Sequence, residues 1–208
     1  MTDAASPSAQ AVGDRRLARR VAQAGMVAFW LAVAGLGVYT DLGLLDVILL
    51  SVLLVAVPTM SLAQIPLIRD VVIERLPAYW SSIATLWIIG AACWFVGTRT
   101  GGAASIGLVW IPFARLLGWT IGLTVIALGL ILAFRLLGER AGRLDSSLLR
   151  QLLPVTDREK GVFAILSVAA GVGEELAYRG YVIPVLAPIL GTLPAAFLST
   201  VVFGIMHG

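Results

Sequence analysis

The stretch Gly171–Tyr181 reads G-V-G-E-E-L-A-Y-R-G-Y, and its surroundings decide how the chain folds. Between Gly161 and Gly208 the only charged side chains are Glu174, Glu175 and Arg179; the rest is apolar, small or weakly polar. The one histidine of the protein, His207, lies in the next apolar run, V-V-F-G-I-M-H. An ionisable group inside a hydrophobic span is costly, so it is a functional hypothesis by default. Spans of this kind must satisfy their backbone polar groups internally. The chain is therefore read as an all-α protein, a polytopic transmembrane helical bundle that houses this cluster.

Composition agrees with that reading. The chain has 208 residues, 59% hydrophobic and 13% charged, with a mean hydropathy of +0.96. Soluble domains are nearer a quarter charged. The net charge is +3, but the basic residues sit in connections between apolar runs. That is a membrane-topology pattern and gives no reason to invoke nucleic acid. The expected surroundings are membrane lipids, and the expected location is the cell membrane, with several passes. Cys93 is the single cysteine, so it has no internal disulfide partner and reads as a small buried hydrophobe.

Residues 1–20 read as a disordered basic tail ending in Arg15, Arg16, Arg19 and Arg20. Residues 21–160 read as four spans with an interfacial segment and a basic cytoplasmic loop. The first, Val21 to Thr40, could follow its arginines as a cleavable signal. Its length and the apolar run close behind it favour a retained helix. Val47 to Ile68 follows, with Pro58 as a kink. Leu76 to Thr98 is the third, with Tyr79, Trp80 and Trp94 suited to the interfaces. Ala103 to Gly118 is short, carries Pro112 and Arg115, and reads as an interfacial or re-entrant piece. Leu116 to Phe134 is the fourth span. A polar stretch around Asp145 to Arg158 reads as a short surface helix. Residues 161–208 form the fifth span and a sixth helix opened by Pro194, with a break at Pro184, Pro188 and Gly191.

Arginine placement predicts the topology. The residues before the first span hold four, and the connection after the fourth holds Arg135, Arg140, Arg143, Arg150, Arg158 and Lys160. The positive-inside rule puts the N-terminus and residues 135–160 in the cytoplasm.

On a helix successive residues are about 100° apart, so Glu174 and Glu175 face different ways. Glu175 and Arg179 are i,i+4 with the acid first, the favoured order for a pair. Glu174 is left without that partner, which makes it the candidate general base. His207 on the adjacent span would hold a water against Glu174, or join it in binding a metal that activates the water. Gly171, Gly173 and Gly180 would let a partner helix come close. H-E-x-x-H chemistry needs two histidines and is excluded. Ser167 and Ser199 have no histidine and acid set independent of this cluster, so a serine triad is out of view.

Glu174-Glu175-x-x-x-Arg179 followed by Phe203-x-x-x-His207 resembles the first two motifs of the CPBP (Abi) family, which includes type II CAAX prenyl endopeptidases and bacteriocin-processing or self-immunity proteins. The resemblance covers roughly residues 161–208. It implies an intramembrane endopeptidase, a hydrolase acting on a peptide or protein substrate, with Glu174 as the base that activates water. His207 would orient the water or bind metal, and Glu175 and Arg179 would be the supporting pair. Zinc or another divalent metal held by Glu174 and His207, and a metal-independent water, both stay open. The family's third motif, a histidine followed four residues later by Asn or Asp, is not in the 208 residues, so a longer protein is expected. Two other functions compete. One is a non-catalytic immunity or scaffolding protein of the same family. The other is a small transporter using Glu174 as a proton or cation site, for which the matching broken helices of pseudo-symmetric halves are not evident.

Overall fold

The structure is a computed structural model that describes residues 9–68, 73–141 and 151–207. The described residues form helices and turns and no strand. Five helical stretches are long and apolar enough to cross a membrane: Gly13–Tyr39, Leu44–Leu67, Arg75–Thr98, Phe113–Leu137 and Asp157–Leu190. The protein is thus an all-α, multi-pass membrane bundle. It divides into two compact units, Met1–Leu108 with Pro154–Gly208, and Val109–Leu153.

In the first unit, α1 (Ala9–Tyr39) and the pair α2 (Leu44–Ser51) and α3 (Val57–Ile68) make an antiparallel hairpin. Gly25 of α1 packs directly on Thr59 of α3, where any side chain at 25 would collide with the threonine. Helix α1 starts at Ala9, so residues 9–20 are helical and correct the expectation of a disordered tail there. Alanine, glutamine and arginine are good helix formers, and they extend the apolar helix outward. A wide π-helical turn, Val52–Ala56, joins α2 to α3. A second one, Glu175–Val182, joins α6 (Asp157–Glu174) to α7 (Ile183–Leu190).

The two wide turns share a cause. Each is followed at its second residue by a proline, Pro58 or Pro184. A proline ring clashes with the carbonyl four residues back and donates no hydrogen bond. Those carbonyls belong to Leu54 and Gly180, both inside the wide turns, where the looser winding accommodates the ring. The helix therefore runs through Pro184 and Pro188 without breaking, contrary to the expected interruption. The break comes at Gly191, whose φ of +90° favours glycine. Helix α8 (Thr192–His207) then returns alongside, with Pro194 in its first turn, where no donor is required.

Helix α4 (Arg75–Thr98) runs parallel to α6. Arg75 and Glu159 form an ion pair at 3.6 Å at their starting ends. Tyr79 meets Phe163 edge-on at 5.5 Å, and Gly90 faces Gly173. Tyr79 is thus buried against α6, near the starting end of the span, while Trp80 and Trp94 are exposed. Helix α6 begins with a capping box, Thr156 and Glu159, each side chain accepting from the other's backbone. That cap extends the span ahead of the expected Gly161.

After α4, Gly102–Ile106 forms a short turn whose Ile106 is buried against the backbone around Gly97 and Gly180. The second unit contains α5 (Phe113–Ala141). The expected interfacial piece at 103–118 therefore divides: its start is this turn, and its end from Phe113 is already spanning helix. Of the surface helix expected around Asp145 to Arg158, residues 145–150 lie outside the described residues; Gln151 and Leu152 are helical, and Asp157 and Arg158 already belong to α6.

Candidate active site

Glu174 closes α6 at the midpoint of the Asp157–Leu190 stretch, which is long and apolar enough to cross a membrane. His207 is the last described residue of α8, which runs back to the same level. The structure brings them together: His207 Nε2 is 3.6 Å from Glu174 Oε1. The other ring nitrogen, Nδ1, lies 2.9 Å from the Phe203 carbonyl oxygen. A carbonyl only accepts, so Nδ1 carries the proton and donates. That leaves Nε2 facing the carboxylate across a gap longer than a normal hydrogen bond. A single water set to one side of the gap reaches both atoms.

The rest of the site holds the imidazole in place. Phe203 lies against the His207 ring at 4.3 Å between centroids and meets Tyr178 edge-on at 5.4 Å. Tyr178 is buried, and its hydroxyl donates to the Leu53 carbonyl at 3.2 Å. Ser199 donates to the Tyr178 carbonyl at 2.7 Å, and Ser61 to the Met206 carbonyl at 3.3 Å. Ser167 donates to its own helix at the Phe163 carbonyl. Both expected bystander serines are thus committed to backbone.

Glu175 and Arg179 are paired, as their spacing predicts. Their side chains are more than half exposed, so the pair lies on a face of the unit and not in its core. Arg179 also stands over the Phe203 ring at 5.6 Å, which links the pair to the imidazole through one aromatic. Of the three glycines expected to allow close approach, two do. A side chain at Gly173 would meet the Leu86 carbonyl, and one at Gly180 the Ile106 carbonyl; around Gly171 there is open space.

One polar cluster went unread in the sequence. Asp46, at the start of α2, pairs with Arg99 just past α4 and accepts from the fully buried Tyr181 at 2.8 Å. It clasps the far end of the wide turn. Asp46 directly precedes the apolar run from Val47 and Arg99 directly follows Thr98, and only the antiparallel packing of α2 and α4 makes them neighbours.

A cleft of about 660 Å³ opens from Glu174 and His207 between α3, α4 and α6. Its other polar lining is Ser61, Gln64, Ser81, Ser82, Thr85 and Tyr178. A catalytic zinc takes three protein ligands. Among the described residues no three His, Cys, Asp or Glu side chains converge. Glu174 and His207 are two donors, so the residues present do not by themselves make a zinc set.

Residues 159–208 match the Rce1-like family, type II CAAX prenyl endopeptidase Rce1-like. The Rce1-like segment covers about a quarter of the chain. It contains Glu174, Glu175, Arg179, Phe203 and His207 on α6, the wide turn and α8, and it bears out the resemblance read from the two motifs. No curated protein and no solved structure matches the chain.

Proposed function

We propose that the protein is an intramembrane endopeptidase in which Glu174 is the general base. The observation that carries this reading is the approach of Glu174 and His207 to 3.6 Å at the middle of a membrane span, on a cleft that opens beside them. Glu174 takes a proton from a water held between its carboxylate and His207 Nε2. The water oxygen bonds to the peptide carbonyl carbon, whose oxygen takes up the electron pair. As that pair returns, the C–N bond breaks, and the proton on Glu174 passes to the leaving amine. His207 orients the water, with Phe203 and the Phe203 carbonyl fixing its ring. The match to a CAAX-type family supports a peptide substrate at the membrane. Zinc or another divalent metal would need a further ligand beside these two.

The test uses the gene product that contains residues 1–208, reconstituted in lipid vesicles. Peptide libraries with and without a farnesylated cysteine are incubated with parent and Glu174→Gln protein, and new termini are read by mass spectrometry. Cleavage by the parent that Glu174→Gln abolishes is expected. Equal product from both proteins removes Glu174 as the base, and product from neither removes the endopeptidase reading and leaves the non-catalytic immunity or scaffolding role or the transporter.

A further inference from the structure

We infer that the wall of the cleft formed by α3 and α4 binds the backbone of an extended peptide, with Gln64 and Ser82 as its recognition residues. The inference rests on the proposed site in one respect only: it places the peptide where Glu174 and His207 can reach it.

The polar groups of this cleft differ in their free hydrogen-bonding capacity. In this cleft Ser61, Ser81 and Thr85 give their protons to helix carbonyls, those of Met206, Ala78 and Ser81. Such back-bonding is the ordinary state of hydroxyls in apolar helices and needs no ligand. It does leave each oxygen able to accept. Gln64 and Ser82 differ, since neither side chain has a hydrogen-bond partner among the described residues, and both are exposed to the cleft. Gln64 offers two donors and an acceptor, and Ser82 offers one donor and two lone pairs.

The ligand chemistry follows from what the wall lacks. Among the described residues, Glu174 and His207 are the only ionisable groups lining the cleft apart from Tyr178, whose hydroxyl is already engaged. No arginine or lysine among the described residues lines this cleft to meet a phosphate or a free carboxylate; Arg15 and Arg19 line the neighbouring pocket that Gln64 also borders. An acyl chain would leave the Gln64 amide unsatisfied against hydrocarbon, which is costly. An extended peptide is neutral and carries alternating N–H and C=O groups that must all find partners away from water. The Gln64 carbonyl and the Ser82 oxygen accept from its N–H groups, and the Gln64 amide donates to its C=O. The position agrees with this role. Gln64 lies one turn from the end of α3 and Ser82 two turns from the start of α4, at the end of the unit where Arg75 pairs with Glu159. A chain laid along this wall runs from that end inward to Glu174.

The test measures binding and does not need turnover. The Glu174→Gln gene product in detergent is titrated against a dansyl-labelled, farnesylated hexapeptide, and against the same peptide with its central amides N-methylated. Ser82→Ala is expected to raise Kd by about 3- to 12-fold, the loss of one hydrogen bond, and Gln64→Leu to raise it further, because it loses both an acceptor and a donor bond. N-methylation weakens binding in the Glu174→Gln protein but adds little in the Gln64→Leu/Ser82→Ala protein, because the acceptors are already gone. Ser82→Thr restores affinity, and an unchanged gel-filtration profile shows that the variants fold. Unchanged Kd across the substitutions and N-methylation overturns the inference, as does absence of binding. Because no readout is cleavage, failure of the proposed hydrolysis and failure of this recognition show separately.

Discussion

At the scale of residues, adjacent glutamates have opposite fates. Glu174 turns into the cleft toward His207, and Glu175 turns to the other side and takes Arg179. Glu174→Gln removes a carboxylate that, among the described residues, has no cation partner other than a protonated His207. It is expected to keep or raise thermal stability in detergent while cleavage is lost. A drop of more than a few degrees in Tm would assign Glu174 a structural role. Glu175→Ala leaves Arg179 at membrane depth with only the Phe203 face beside it. An arginine at the centre of the bilayer costs about 2.5–3.5 kcal/mol on insertion scales, and snorkelling or water around the exposed pair reduces that. Glu175→Ala should therefore lower the folded yield in membranes, and Glu175→Ala/Arg179→Met should recover part of it. Equal yields for the two variants and the parent would mean that the pair faces water. The spacing of the two glutamates already separated their partners. Their burial was not legible, because it depends on which helices pack on either side.

At the scale of elements, the decisive contact is α4 on α6. Gly173 touches the Leu86 carbonyl so closely that a β-carbon would stand 2.8 Å from it. A backbone carbonyl has little room to give way, so Gly173→Ala must push the two helices apart at the level of Glu174. A loss of about 1–3 kcal/mol, the usual effect of overpacking, is expected, together with reduced cleavage. Gly171→Ala, with nothing within 4 Å, is expected to unfold within about 1 kcal/mol of the parent. Unfolding of purified protein by increasing SDS compares them. Equal midpoints for the two variants would contradict the close packing of α4 and α6. The sequence showed three glycines near the acidic pair but could not say which met a helix. The same holds for the prolines: Pro184 and Pro188 signalled a break, yet the wide turn ahead of them absorbs the ring and the helix continues.

At the scale of the whole molecule, the arginine distribution predicts that the N-terminus and residues 135–160 face the cytoplasm. The packing is compatible with this, since α4 and α6 start at the same end of their unit and the chain between them must return to that end. A cysteine placed at position 145 in a Cys93→Ser background should react with a membrane-impermeant maleimide only in inside-out vesicles. Labelling confined to intact cells would reverse the topology. What the sequence determined by itself was the membrane class, the spans and the acidic pair with its histidine. Those follow from local rules: the length an apolar helix needs to cross hydrocarbon, the cost of charge within it, and the angular spacing of a helix. The tertiary structure alone decided that Nε2 of His207 faces Glu174, that Tyr178 and Phe203 hold that ring, and that Asp46, Arg99 and Tyr181 form a clasp. The wall with Gln64 and Ser82 belongs with these. Each joins residues far apart in the chain, and local rules carry no information about which faces of two helices meet; close packing of side chains decides that.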